Sequence, residues 1–145
     1  MNSDLTITGD LDVILYDEKG DIKLQDTYKN MVMTVGKNFI ASRIKDATST
    51  VMSHMGVGTG TTAESVGQTA LVTQLIRVAL TSTTVTNNQV VYAATFAAGE
   101  GTGAITEAGI FNASSAGTML SRTVFSVVNK AAGDTLIINW TITVN

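Results

Sequence analysis

Glycine and hydroxyl residues at Gly56-Val-Gly-Thr-Gly-Thr-Thr62 form the stretch of this chain best suited to ligand chemistry. Successive backbone N–H groups in such a loop can cradle a phosphate. No lysine stands where a P-loop needs one, however, and no helix clearly follows. The dinucleotide fingerprint fails as well, for want of a third glycine at its fixed offset and of a βαβ frame. What remains is a close-packed surface loop. His54, the only histidine, lies in an apolar run between Met52 and Met55 and reads as a satisfied core or interface residue. One histidine and no cysteine cannot furnish a structural zinc site. A Ser-His-Asp triad lacks its Gly-x-Ser-x-Gly elbow. Glu100 and Glu107 are the only carboxylates of the C-terminal half besides Asp134. A glycosidase pair would also need facing, tuned carboxyls and an aromatic lining, whereas the three Tyr, four Phe and one Trp fall mostly on core faces. Asp17, Asp21 and Asp26 do not match the spacing of a helix-flanked calcium loop. The expectation is therefore a non-enzymatic protein with no catalytic, cofactor-binding or metal-ligating residue.

Two arginines remain, Arg77 and Arg122, each within an otherwise neutral strand. Such an arginine pairs with a carboxylate such as Glu107 or reaches across an interface, where its planar fork bonds well. Both are taken as candidate interface residues, together with Asp10, Asp12, Asp17 and Glu18 of the N-terminal segment. Residues 1–30 hold seven acids against three lysines, and the rest of the chain is close to neutral. That acidic segment, read as a hairpin, is the expected partner contact, either with a basic surface or with a neighbouring copy. A formal net charge of −3 is too mild for a nucleic-acid binder.

The elements that must position these residues come from alternation. Leu5–Tyr16 places Leu5, Ile7, Leu11, Val13 and Leu15 on one face. Asp17–Gly20 is a turn, and Ile22, Leu24 and the stretch 27–35 form the returning strand. Gly36–Ala47 reads as a helix, with Phe39, Ile40, Ile44 and Ala47 at helical spacing, too short to stand without a sheet beneath it. Strands follow at 51–57, 76–85 and 89–96, the last two joined by Asn87-Asn88. Ala104–Phe111 and Thr118–Phe125 form a hairpin across Ser114–Gly117, and Asp134–Val144 is the cleanest alternating strand. About eight strands and one helix at this turn spacing predict a mostly β, antiparallel sandwich, jelly-roll-like, in a single domain over 1–145. Only 14% of residues are charged, and 23 are threonine. A β-rich chain of this kind leaves its sheet edges poorly protected unless neighbours cover them. The start Met1-Asn2-Ser3-Asp4 lacks the features of a signal peptide, and no apolar run is long enough to span a bilayer. The absence of cysteine fits folding in a reducing cytoplasm.

An ordered set of segments carries a resemblance. Met55-Gly-Val-Gly-Thr-Gly-Thr-Thr-Ala63 is followed by Gln68–Leu71, Leu75-Ile-Arg77, Ala94-Thr-Phe96, Ile105–Phe111, Met119–Phe125 and Trp140-Thr-Ile-Thr143. Together they resemble the small structural proteins of tailed-bacteriophage virions, labelled tail-fibre-like or capsid decoration proteins. The resemblance implies assembly in the bacterial host cytoplasm and a place in the virion. It implies the major capsid protein and further copies of the chain as partners, with no nucleic acid, membrane, small-molecule substrate or cofactor. Fibres are normally longer chains with a shaft and a tip, so a single compact domain favours a capsid decoration or cement subunit. A tail, baseplate or fibre-associated component is the alternative.

Overall fold

Among the described residues the chain forms ten strands, and their pairing is antiparallel throughout. The computed structural model describes residues 4–45 and 49–145. In chain order these are β1 (Ile7–Tyr16), β2 (Ile22–Lys29), β3 (Met31–Val32), α1 (Thr34–Lys45), β4 (His54–Gly58), β5 (Gln74–Ala79), β6 (Ser82–Thr86), β7 (Gln89–Phe96), β8 (Gly103–Phe111), β9 (Met119–Lys130) and β10 (Thr135–Val144). They form two five-stranded sheets, sheet A in the order β2-β1-β10-β7-β6 and sheet B in the order β3-β9-β8-β4-β5. The sheets pack face to face as a sandwich. Leu11, Val13, Leu136, Ile138, Trp140, Ala94 and Phe96 of sheet A meet Met55, Val57, Ile105, Ile110, Leu120 and Val128 of sheet B in one buried cluster.

The N-terminal hairpin is no appendage. β1 lies between β2 and β10 and pairs with β10 along its whole length, from Ile7 with Val144 to Tyr16 with Thr135. Leu11, Val13 and Leu15 face the core as their alternation predicts, but Leu5 lies before the strand and is exposed. The Asn87-Asn88 turn forms as expected, Asn87 taking φ 52°.

Several boundaries differ from the sequence reading. The returning strand expected to run through 27–35 ends at Lys29, and Met31–Val32 pairs with β9 in sheet B instead. The helix begins at Thr34, so Val35 is helical, and the expected last residue, Ala47, lies outside the described residues. Its buried residues are Gly36 and Phe39, while Ile44 points to solvent. Gly36 sets this rotation, because a β-carbon there would lie 2.2 Å from the Leu120 carbonyl oxygen, so only glycine lets the helix touch β9 so closely. The expected strand 76–85 is two strands in different sheets. Leu80 N–H bonds the Ser53 carbonyl beside sheet B and Thr81 N–H bonds the Ala93 carbonyl of sheet A, so the chain changes sheets between them. The expected strand 51–57 pairs only from His54.

The helix assignment makes a direct prediction. Phe39→Ala removes a ring that packs into the main core and should cost about 3–5 kcal/mol. Ile44→Ala, at an exposed site, should stay within about 0.5 kcal/mol of the parent in the same urea titration.

Candidate functional site and its buried clamp

The outer face of sheet B is where the charged residues of the C-terminal block meet. Glu107 on β8 and Arg122 on β9 point away from the main core, yet both are fully buried, because the segment between β4 and β5 lies over them. Glu107 Oε1 accepts hydrogen bonds from the N–H groups of Gly60 (3.0 Å) and Thr73 (2.7 Å). Its Oε2 accepts from Val72 N–H (3.0 Å) and from Arg122 Nε (2.9 Å), and Arg122 Nη2 lies 2.8 Å away in ion-pair contact. Arg122 Nη1 donates to the Thr62 carbonyl (2.9 Å) and to Gln68 Oε1 (3.0 Å). One ion pair thus grips both ends and the middle of residues 59–73. A second acid helps, since Glu64 Oε1 accepts Val124 N–H at 2.6 Å.

Glycines make room for this loop. Leu71 lies over Gly56 and Gly109, its methyl groups 3.2 and 3.0 Å from where their β-carbons would be. A β-carbon on Gly58 would sit 2.2 Å from the Thr73 carbonyl oxygen, and one on Gly60 would sit 2.5 Å from Glu107 Oε1. Leu71 joins Met33, Phe111 and Met119 in a second, smaller core between loop and sheet. The glycine-rich run is close-packed as expected, but it is not a surface loop throughout: Gly56, Val57 and Gly58 are buried residues of β4, and the loop starts after them. The glycines of the run admit a carboxylate and a leucine of the same chain.

Burial works against the charged form of Glu107, but the hydrogen bonds from Thr73, Val72, Arg122 and Gly60 outweigh it and hold the carboxyl below the usual glutamate range. Each oxygen of this carboxylate accepts two hydrogen bonds, three of the four from the loop and one from Arg122, which leaves no lone pair aimed at a substrate. Glu100 lies in the exposed turn after β7, accepting Ala97 N–H at 3.0 Å. His54 bonds the hydroxyl of neighbouring Ser53 through Nδ1 at 2.8 Å.

The candidate interface residues divide. Asp10, Asp12, Asp17 and Glu18 are surface residues of the β1–β2 hairpin. Asp10 pairs with Lys29, and Asp12 Oδ1 accepts the Thr27 hydroxyl at 2.7 Å, both across the strand pair. Asp17 Oδ1 accepts the N–H groups of Lys19 and Asp21, each at 2.9 Å, and so closes the turn. Arg122 is corrected outright: a fully buried guanidinium presents nothing to a partner. Arg77 is half-buried and largely committed within the chain. Its guanidinium lies 3.5 Å over the Phe111 ring, and Nη1 donates to the Ala113 and Ala116 carbonyls, bracing the β8–β9 turn. Of the two arginines, it is Arg122 that finds Glu107.

Two poles of the sandwich also escaped the sequence. At one, Lys23 Nζ bonds Asp134 at 2.7 Å and Lys130 Nζ bonds the Ala97 carbonyl at 2.9 Å, beside Asp17, Glu18 and Glu100. The Lys23 hydrogen bond holds the Asp134 carboxyl below its ordinary range. At the other pole lie α1, the β6–β7 turn and both described chain ends, with Leu5, Ile44 and Val85 each more than two-thirds exposed. Alternation cannot show this polarity, because it depends on which strand ends come together.

Removing either member of the clamp leaves its partner buried without a counter-charge. Arg122→Met and Glu107→Gln should therefore each lose roughly 3–5 kcal/mol by urea denaturation. The pH dependence has a definite sign. In the unfolded chain Glu107 titrates near the ordinary value of about 4.3, and in the folded protein below it. Its contribution is complete at neutral pH and fades as pH falls through the folded value, where the unfolded state has already taken up the proton. Stability measured from pH 6 down to pH 3 should fall less steeply in Glu107→Gln than in the parent.

A family model described as phage tail-collar fibre protein, N-terminal, matches residues 24–144. The match runs from within β2 to the last residue of β10, so it takes in sheet B, α1, the whole clamp and sheet A apart from β1 and the start of β2. Comparison with curated proteins and with solved structures returns no match. With nearly the whole sandwich inside the matched range, the chain belongs to the phage tail-collar fibre N-terminal family and is a structural protein of the tailed-phage virion.

Proposed function

We propose that this protein is a structural component of the phage tail, a sandwich domain of the tail-collar fibre kind that acts by holding shape and docking rather than by catalysis. The observation that carries the proposal is the family match over residues 24–144. The geometry supports it in one respect: the buried ion pair of Glu107 and Arg122 is spent on fixing a loop, as a docking module requires. The partners in this reading are tail or baseplate proteins, met in part through the acidic hairpin with Asp17 and Glu18 at its tip. The family match lends nothing to the capsid-cement reading or to the major capsid protein as partner, and favours the tail alternative.

Quantitative mass spectrometry of purified virions, with antibody labelling in electron microscopy, tests this. The expected result is label at the collar or tail and a copy number far below that of the major capsid protein. Label over the head at near parity with that protein would overturn it. Release of reducing sugar from host polysaccharide, abolished by Glu100→Gln, would overturn the non-enzymatic part.

A further inference from the structure

Residues 59–73 leave sheet B and return to it at one place. β4 and β5 pair up to Gly58 and from Gln74, with a register shift at Val57/Gly58, and Thr59 N–H donates to the Thr73 carbonyl at 2.9 Å. Backbone therefore closes the neck of the segment, and a compact loop with its ends together is held down only by what it touches. Those contacts are mostly polar. Glu107 takes the N–H groups of Gly60, Val72 and Thr73, and Arg122 holds the Thr62 carbonyl and Gln68. Glu64 reaches Val124 N–H, the Thr106 hydroxyl donates to the Gly60 carbonyl, and Thr34 N–H donates to the Val66 carbonyl.

The apolar grip is small. Leu71 is the one apolar side chain of the segment that is buried, while Val66 and Val72 are each 49% exposed. Leu71 packs into the smaller cluster with Met33, Phe111 and Met119, apart from the main core between the sheets. No strand ladder includes a residue of the segment, since β4 pairs with β5 and β8 through residues 54–58 alone.

We infer that residues 59–73 are a strap that lifts as a unit from an intact sandwich, with the Glu107 carboxylate as its catch, and so uncovers an apolar floor of Met33, Phe111 and Met119. Lifting breaks the bonds just described and leaves every ladder of the two sheets in place. The buried ion pair suits a catch. Deleting one partner strands a charge in the interior, but lifting the strap returns both ions to water and recovers the desolvation that closure imposed. Segments that open apart from the rest of a fold are those with few buried apolar contacts, and this one is anchored by a single leucine. The floor it covers is different in kind: Met33, Phe111 and Met119 are all fully buried while the strap is down. The sandwich thus holds in reserve an apolar surface of the sort that marks binding sites when exposed. The device belongs to the chain itself and does not depend on where in the virion the protein sits.

Native-state hydrogen exchange of the full chain in sub-denaturing urea tests this. The N–H groups of Gly60, Val72 and Thr73 should exchange through one shared opening. Its urea slope should be above zero but less than about half that of the β1–β10 ladder, because the slope scales with the surface exposed. A mild change in the main core separates the two openings. Ile138→Val weakens the closed and the strap-open forms alike relative to the unfolded chain. It should therefore speed exchange in the β1–β10 ladder about fivefold and leave the three strap amides unchanged. Strap amides that match the ladder in slope, that follow it in Ile138→Val, or that open separately from one another would overturn the inference. So would a slope of zero, since the floor would then stay covered. Should Ile138→Val fail to fold, the slopes of the parent decide alone.

Discussion

A buried carboxylate–guanidinium pair needs its remaining hydrogen-bonding capacity met, because desolvating two ions costs several kcal/mol each and their attraction alone does not reliably recover it. That constraint shapes sheet B. Glu107 and Arg122 stand on neighbouring strands with their charges outward, and everything laid over them supplies donors or acceptors: three backbone N–H groups for the carboxylate, a carbonyl and a Gln68 oxygen for the guanidinium. The path of residues 59–73 follows from that requirement. So does the need for glycine at 58 and 60, since any side chain there would occupy the space of the Thr73 carbonyl or the Glu107 carboxylate. A long loop without secondary structure is ordinarily soft. This one is tied to the sheet by charge-assisted bonds, by Glu64 at Val124 and by Leu71 in the smaller core.

The two sheets therefore have different outer faces. Sheet B is roofed by its loop, and its outward residues Gly56, Gly58, Glu107, Gly109, Phe111 and Arg122 are buried. Sheet A carries a half-exposed row of polar and small residues, Asn139, Thr141, Thr143, Ala93 and Thr95. Its two edges differ in turn: β2 is charged, while β6 is neutral and flanked by a hollow lined by Arg43 and by apolar residues. For a protein whose work is assembly, these asymmetries matter more than any cavity, because they decide which sides are finished and which still present unpaired backbone or apolar surface.

The virion reading rests on lineage and the clamp on geometry, and the two agree in kind. Phage structural proteins need faces that keep their shape, and a loop held by a buried ion pair provides one. The residues that invited a chemical reading are occupied in ordinary structural ways: His54 with its neighbouring serine, Glu100 and Asp17 with turn N–H groups, Glu107 with its loop.

Much of the fold was legible in the chain itself. Strict alternation in 7–16 and 135–144 identified the central strands of sheet A, because a period of two can bury only one face. The C-terminal hairpin and the Asn87-Asn88 turn announced themselves by local residue types, and the turn spacing with a single helical stripe indicated a mostly β sandwich. Three things were decided only in three dimensions. The switch of sheets at Leu80-Thr81 leaves no mark in a continuous run of strand-forming residues, because either sheet satisfies the same local preferences. The burial of Arg122 depends on a loop arriving from about 60 residues earlier, so a residue that by type belongs at a surface became interior. And Ile44, apolar and correctly spaced for a buried stripe, faces water because close contact between Gly36 and β9 fixes the rotation of the helix. Local pattern chooses the elements, while long-range contact chooses which of their faces is covered.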